Sequence, residues 1–162
     1  MHRAEIVAIL VFLMVIVILY NKIKYRNRVY VQSDIDNMYY MVRDRKNKKN
    51  AANLLAKLRL SLQKVIDYMA HKVLYMQGDT SVKVYGQYID TLKSRFVGVV
   101  ITESPEDSKY TSYCVNKGDE IVFCIRPKHF ANHLDVNDTL HDINLIMYVA
   151  LHEISHIACP ER

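Results

Sequence analysis

Cysteine, proline and glycine are scarce in this chain of 162 residues, with three, three and four of each. An odd number of cysteines (Cys114, Cys124 and Cys159) at no repeated spacing excludes a disulfide framework. They read instead as small buried hydrophobes. There is no internal repeat and no low-complexity segment. A hydrophobic fraction of 51% against 24% charged residues also excludes a disordered chain. The length leaves room for one domain plus an attachment, not for two sizeable domains. One stretch lacks charge altogether: IVAILVFLMVIVILY, residues 6–20, has neither a charged residue nor a helix breaker.

At 1.5 Å per residue that run spans roughly 22 Å of a hydrocarbon core about 30 Å thick. Tyr20 at the interface, Ile23 beyond it, and snorkelling Lys22 and Lys24 could bridge the shortfall, so residues 6–20 are expected to be a membrane anchor in contact with lipid. A cleaved signal peptide fits less well, because Asn-Lys-Ile-Lys follows where a small-x-small site belongs. Lys22, Lys24, Arg26 and Arg28 follow the run, whereas Arg3 before it is balanced by Glu5. The positive-inside tendency then predicts a single-pass membrane protein with residues 21–162 on the cytosolic side. Those four basic residues are expected to meet anionic headgroups. Nucleic acid is the weaker partner for a net charge of +5 that rests on this cluster and on RDRKNKK, residues 43–49.

Beyond the anchor and its basic flank (1–28), residues 29–50 read as a linker with a short helix. Ser33 would be its N-cap, and it would run from Asp34 to about Arg45. Residues 51–162 read as the folded domain. From Ala51 to Gln77, Leu55, Leu58, Leu62, Val65, Ile66, Met69, Val73 and Met76 recur at helical spacing, and Gly78 is placed to stop the helix. A shorter helix is expected over 85–96, then a β-branched strand in FVGVVIT (96–102) and a turn cluster, ESPEDS. YTSYCV-NKGD-EIVFCIR reads as a hairpin. With Lys117 and Gly118 at its tip, Cys114 faces Ile121 and Cys124 faces Thr111, so the two cysteines are not opposite one another. A last helix is predicted from near Asp138 to Ala158, ended by Pro160. This order gives a small α+β domain with an antiparallel sheet.

The last helix carries LHEISHIACPER, in which His152, Glu153 and His156 match H-E-x-x-H. Four residues apart on a helix, the histidines differ by about 40° and lie one turn apart, so both imidazoles can converge on one Zn²⁺. Glu153 is set beside them as general base for a water molecule. The opposite ridge, Ala150, Ile154 and Ile157, should face the core. The plainer alternative is a helix whose histidines bond to a carbonyl or a neighbouring carboxylate.

Residues 110–161, and above all MYVALHEISHIACPE, resemble the WLM-type, SprT-like zincin domains, in particular the membrane-tethered forms encoded by large nucleocytoplasmic DNA viruses. The resemblance implies a zinc-peptidase fold with His152 and His156 as ligands and Glu153 as base. It also implies that one hairpin strand is an edge onto which an extended substrate adds. In that family a further ligand follows the helix, and none is evident here. At the positions where the metzincin pattern has Gly and His, this chain has Cys159 and Arg162. Glu161, His129, His133 and His141 remain as other donors.

Two functions therefore stay open. One is a membrane-anchored zinc-dependent peptidase acting on cytosolic-side proteins, its site completed beyond Arg162. The other is a membrane-anchored scaffold, such as a minor capsid or virion component, with a degenerate and non-catalytic zincin fold that binds shell proteins. A membrane-tethered nucleic-acid binder would rest on the basic clusters alone.

Overall fold

In the computed structural model, which describes residues 2–24, 27–75, 80–127 and 139–159, the segment expected to form a short helix is a β-hairpin. β1 (Arg28–Gln32, RVYVQ) and β2 (Tyr39–Arg43, YYMVR) are rich in β-branched and aromatic residues, which suit a half-buried pleated surface. They pair antiparallel, with Val29 opposite Val42 and Val31 opposite Tyr40. The polar residues that suggested an N-cap make the loop instead. Ile35 N donates to Ser33 Oγ at 3.0 Å, Met38 N donates to Asp36 Oδ1 at 3.1 Å, and Asn37 takes the left-handed conformation at φ 58°. Ser and Asp satisfy nearby backbone donors equally well at a helix start and in a turn, which is why the two were confused.

The expected amphipathic helix is α2 (Lys48–Tyr75). Leu55, Leu58, Leu62 and Ile66 are fully buried, each contributing about 1.5–3 kcal/mol by leaving water. Ala51, Ala52 and Ala56 let the first turns approach the sheet closely. The stop proposed at Gly78 lies outside the described residues. α3 (Thr80–Phe96) packs on α2 and buries Leu92 and Phe96. β3 (Val100–Glu103), β4 (Ser112–Val115) and β5 (Glu120–Phe123) follow, then α4 (Ile143–Ala158). Helix α4 starts later than the expected Asp138, which lies outside the described residues. Asp142 is its cap, accepting from Asn144 N at 2.8 Å.

The sheet order is β1-β2-β3-β5-β4. The two hairpins are antiparallel, but β2–β3 and β3–β5 are parallel, so the purely antiparallel sheet expected from sequence is corrected to a mixed one. The long α2–α3 connection returns the chain parallel at β2–β3, and β5 turns back from β4 into the place beside β3, which sets that pair parallel. One core joins Tyr40, Val42, Ile101, Ile121 and Phe123 of the strands to the inner faces of α2, α3 and α4.

The membrane-anchor expectation is also corrected. Residues 6–20 belong to a 23-residue helix, α1 (His2–Lys24), but among the described residues no helix is long and apolar enough to cross a membrane. The physical reason is the shortfall already noted, since fifteen apolar residues cover roughly 22 Å of about 30 Å. The single-pass placement and the cytosolic orientation drawn from the flanks fall with it, as does the anchoring of a virion scaffold in an internal membrane. The side chains of Lys22, Lys24 and Arg26 lie outside what is described, and Arg28 opens β1. The apolar side chains from Ile6 to Leu19 are exposed, and α1 touches no other element among the described residues.

The strand ends converge on a buried acid that the turn-like sequence ESPEDS concealed. Glu103 is fully buried and accepts from Arg126 Nε at 2.6 Å and from Arg43 N at 2.7 Å, with Arg43 Nε 3.5 Å away. Arg126 reaches on to Asn47 Oδ1 at 2.5 Å. Removing one partner of such a buried group costs about 3–5 kcal/mol. Glu103→Ala is therefore expected to lower unfolding stability by that amount in denaturant titration. A loss under about 1 kcal/mol would show that the two guanidinium groups are held by other means.

Tyr40 gives a second test. Its hydroxyl donates to Asp36 Oδ2 at 2.5 Å, and burial first, then this bond, pushes the phenol above its ordinary range. The folded value lies above the unfolded value of about 10, so its stabilisation is intact below pH ~10 and is lost as pH rises further. Stability should fall in alkali above that pH, and Tyr40→Phe should flatten the fall. An unchanged slope in the variant would assign it to another group.

Candidate functional site

Helix α4 divides its residues by face. Ile146, Ala150, Ile154 and Ile157 are buried, as the spacing predicted for its last three turns. His152 and His156 stand exposed one turn apart, with ring centroids 5.0 Å apart and planes at 89°. Ser155 Oγ donates to His152 O at 2.6 Å, and Cys159 N donates to Ser155 O at 3.0 Å, closing the helix end below His156. Glu153, one residue past His152, turns inward and is only 6% exposed.

The ring separation tests whether the pair fits a metal. An imidazole bound through nitrogen at about 2.0–2.1 Å has its centroid roughly 3.2 Å from the ion, so a tetrahedral angle near 109° separates two centroids by roughly 5.2 Å. The observed 5.0 Å agrees. Among the described residues no group of three His, Cys, Asp or Glu side chains is placed to hold an ion. His129, His133 and Glu161, weighed as further donors, lie outside the described residues, as do Pro160 and Arg162. His141 is described but lines a different pocket, with its backbone N–H donating to Ile125 O at 2.9 Å.

Facing α4 across a pocket of about 390 Å³ is β4, the last strand of the sheet order. Cys114 and Lys117 of the hairpin meet Glu153, His156 and Cys159 there. The predicted register holds at Cys114, opposite Ile121, but the loop is the four residues Asn116–Asp119 rather than two, and the ladder ends at Ser112 and Phe123, short of Thr111 and Cys124. Asn116, Lys117 and Gly118 all have positive φ, reaching 123° at Gly118. A Cβ added at Gly118 would lie 3.2 Å from Ile157 Cγ2, so the hairpin tip sits directly on the last turn of α4. That contact fixes the distance between the strand and the motif. Sequence reading missed Cys159 and Lys117 as residues that share a pocket with His156. Cys159, the C-cap of α4, could have been found from its place three residues after His156.

The chain is 33% identical over 155 residues to an uncharacterized protein, R325, of Acanthamoeba polyphaga mimivirus, a match covering 96% of this chain and 72% of the viral one. The chain belongs to that protein's family. No family model matches it, and no solved structure does. The overlap with the mimivirus relative takes in nearly the whole described fold, from α1 through α4.

Burial first, then the carboxylate of Glu153, pushes the Cys114 thiol above its ordinary range. Cys114 should therefore react with iodoacetamide at neutral pH more slowly than the exposed Cys159. Glu153→Gln should speed Cys114 while leaving Cys159 unchanged. Equal acceleration of both thiols would mean that Glu153 does not face β4.

Proposed function

We propose that the chain is a zinc-dependent peptidase whose site is the pocket between β4 and the last two turns of α4. The observation that carries this reading is the division of labour on one helix. Two exposed imidazoles are spaced for one tetrahedral ion, with a buried carboxylate beside them that opens into a pocket under an edge strand. His152 and His156 would hold Zn²⁺, which when bound supplies Lewis-acid polarisation of a substrate carbonyl and of water. Glu153 takes the proton from the attacking water and passes it to the leaving amine. Its burial keeps bulk water away from the proton in transit and fixes its direction. β4, last in the sheet order among the described residues, would present its outer edge to the backbone of an extended substrate, holding the scissile carbonyl across the helix. Support from sequence is the resemblance of residues 110–161 to WLM-type, SprT-like zincins.

The second reading, a non-catalytic scaffold that binds capsid or other shell proteins, is favoured by one specific observation. No third donor joins the two histidines among the described residues.

Metal analysis and peptide hydrolysis on the full chain discriminate between them. The peptidase reading expects about one zinc per chain and a loss of hydrolysis of 10²-fold or more in Glu153→Gln with zinc retained. Chelation should abolish activity, and added zinc should restore it. A chain without zinc that cleaves nothing yet co-assembles with a shell protein would replace the enzyme by the scaffold.

A further inference from the structure

On the side away from the candidate site the sheet order begins with β1. The bonds that close the β1–β2 hairpin show which way each residue of β1 turns its backbone. Asp44 N donates to Asn27 O at 2.8 Å at one end, and Ser33 N donates to Met38 O at 2.8 Å at the other. Antiparallel pairs alternate, so Val29 and Val31 bond to β2 while Arg28, Tyr30 and Gln32 turn their N–H and C=O groups outward. Lys49 Nζ meets the outward carbonyl of Gln32 at 2.7 Å. At the central position, Tyr30, no other backbone lies alongside among the described residues. Such an edge is normally blunted by an inward-pointing charge, a proline or a bulge. Val29, Tyr30 and Val31 supply none of these, and the register with β2 runs unbroken from Arg28 to Gln32.

We infer that β1 is a self-association edge. The β1 of a second copy pairs with it antiparallel about a twofold axis through Tyr30, joining two five-stranded sheets into one. The strand is its own complement about that point. Tyr30 faces Tyr30 of the second copy, each donating its N–H to the other's carbonyl, and Arg28 faces Gln32. Val29 faces Val31 across the closer spacing between those bonded pairs, on the side where Val31 already packs on the core. Four β-branched side chains thus carry the core across the axis. On the opposite face the Tyr30 ring, 66% exposed, gains an aromatic cross-strand partner. Charge also favours the second copy. β1 begins at Arg28 and runs into the loop holding Asp34 and Asp36, of which Lys49 pairs with Asp34 at 2.7 Å. Antiparallel pairing lays the basic start of one strand beside the acidic loop of the other, whereas parallel pairing would set like charges together. Because β4 lies at the other end of the sheet order, both candidate sites stay clear of the axis.

Five residues of strand edge bury little surface, so the dimer is expected to be weak and to form with rising concentration. The experiment follows the full chain by sedimentation equilibrium and by amide hydrogen exchange read residue by residue. The mass should rise toward twice that of one chain between about 10 µM and about 1 mM. Over the same range the Tyr30 amide should slow about tenfold, while those of Val29 and Val31, already bonded to β2, should not change. Tyr30→Lys sets two like charges opposite one another on the axis and should weaken the dimer about tenfold or more, with an unchanged circular dichroism spectrum. Should that variant not fold, the exchange of the unaltered chain decides alone. A dimer held instead by the exposed apolar side chains of α1 would leave the Tyr30 amide fast at every concentration, and that result overturns the inference. So does an affinity untouched by Tyr30→Lys in a folded variant. A chain that stays monomeric at about 1 mM, its Tyr30 amide slowed only by an added end-blocked Thr-Val repeat peptide, would give the edge to a foreign strand and overturn it too.

Discussion

The carboxylate of Glu103 is the constraint on which the rest of the fold depends. The two hairpins have their registers set by their own loops, but the parallel pairings β2–β3 and β3–β5 join segments with no turn between them. A slip of one residue there would exchange Ile101 and Ile121 for their neighbours in the core. Glu103 prevents this at the strand ends by accepting the backbone N–H of Arg43 on β2 and the guanidinium of Arg126 just past β5. Arg126 extends the same network to Asn47 at the start of α2. Arg43 continues it with Nε donating to Ser104 O at 2.8 Å. Desolvating three charged groups is costly, and the geometry offsets that cost only because each ion has several close hydrogen bonds.

The site is positioned at the far end of this chain of constraints. With β5 fixed against β3, the tight turn at Asn116–Asp119 places β4 at the sheet edge. Gly118 then presses on Ile157 and sets the gap between β4 and α4. In that gap Glu153 is buried, lining the same pocket as Cys114, while its neighbours on the helix, His152 and His156, remain in solvent. A buried carboxylate beside exposed imidazoles is therefore a consequence of packing. Ile154 and Ile157 anchor one face of α4 in the core, and the motif's spacing distributes the rest.

Short-range patterns were legible in the sequence, and long-range ones were not. The α2 periodicity, the β4–β5 register, the core face of α4 and the H-E-x-x-H constellation each depend on residues within about one or two turns of one another. Ser33 and the acids after it misled because the same side chains cap helices and shape hairpin loops. The tyrosines and valines flanking them were the better signal. Glu103, Arg43 and Arg126 are 60 and 23 residues apart in pairing, and nothing local marks them as partners. Nor could periodicity show that β3 runs parallel to both its neighbours. For residues 6–20, composition was read correctly as apolar, but length decided the outcome, since fifteen such residues fall short of a bilayer's hydrocarbon thickness.

Zinc K-edge absorption spectroscopy on the metal-loaded chain is the most direct test of the central claim that His152 and His156 converge on one ion. The account predicts two imidazole nitrogens at about 2.0–2.1 Å, with one lost in His156→Ala and both in the double variant with His152→Ala. A zinc environment unchanged by these substitutions, or one built from cysteine sulfur at about 2.3 Å, would contradict it.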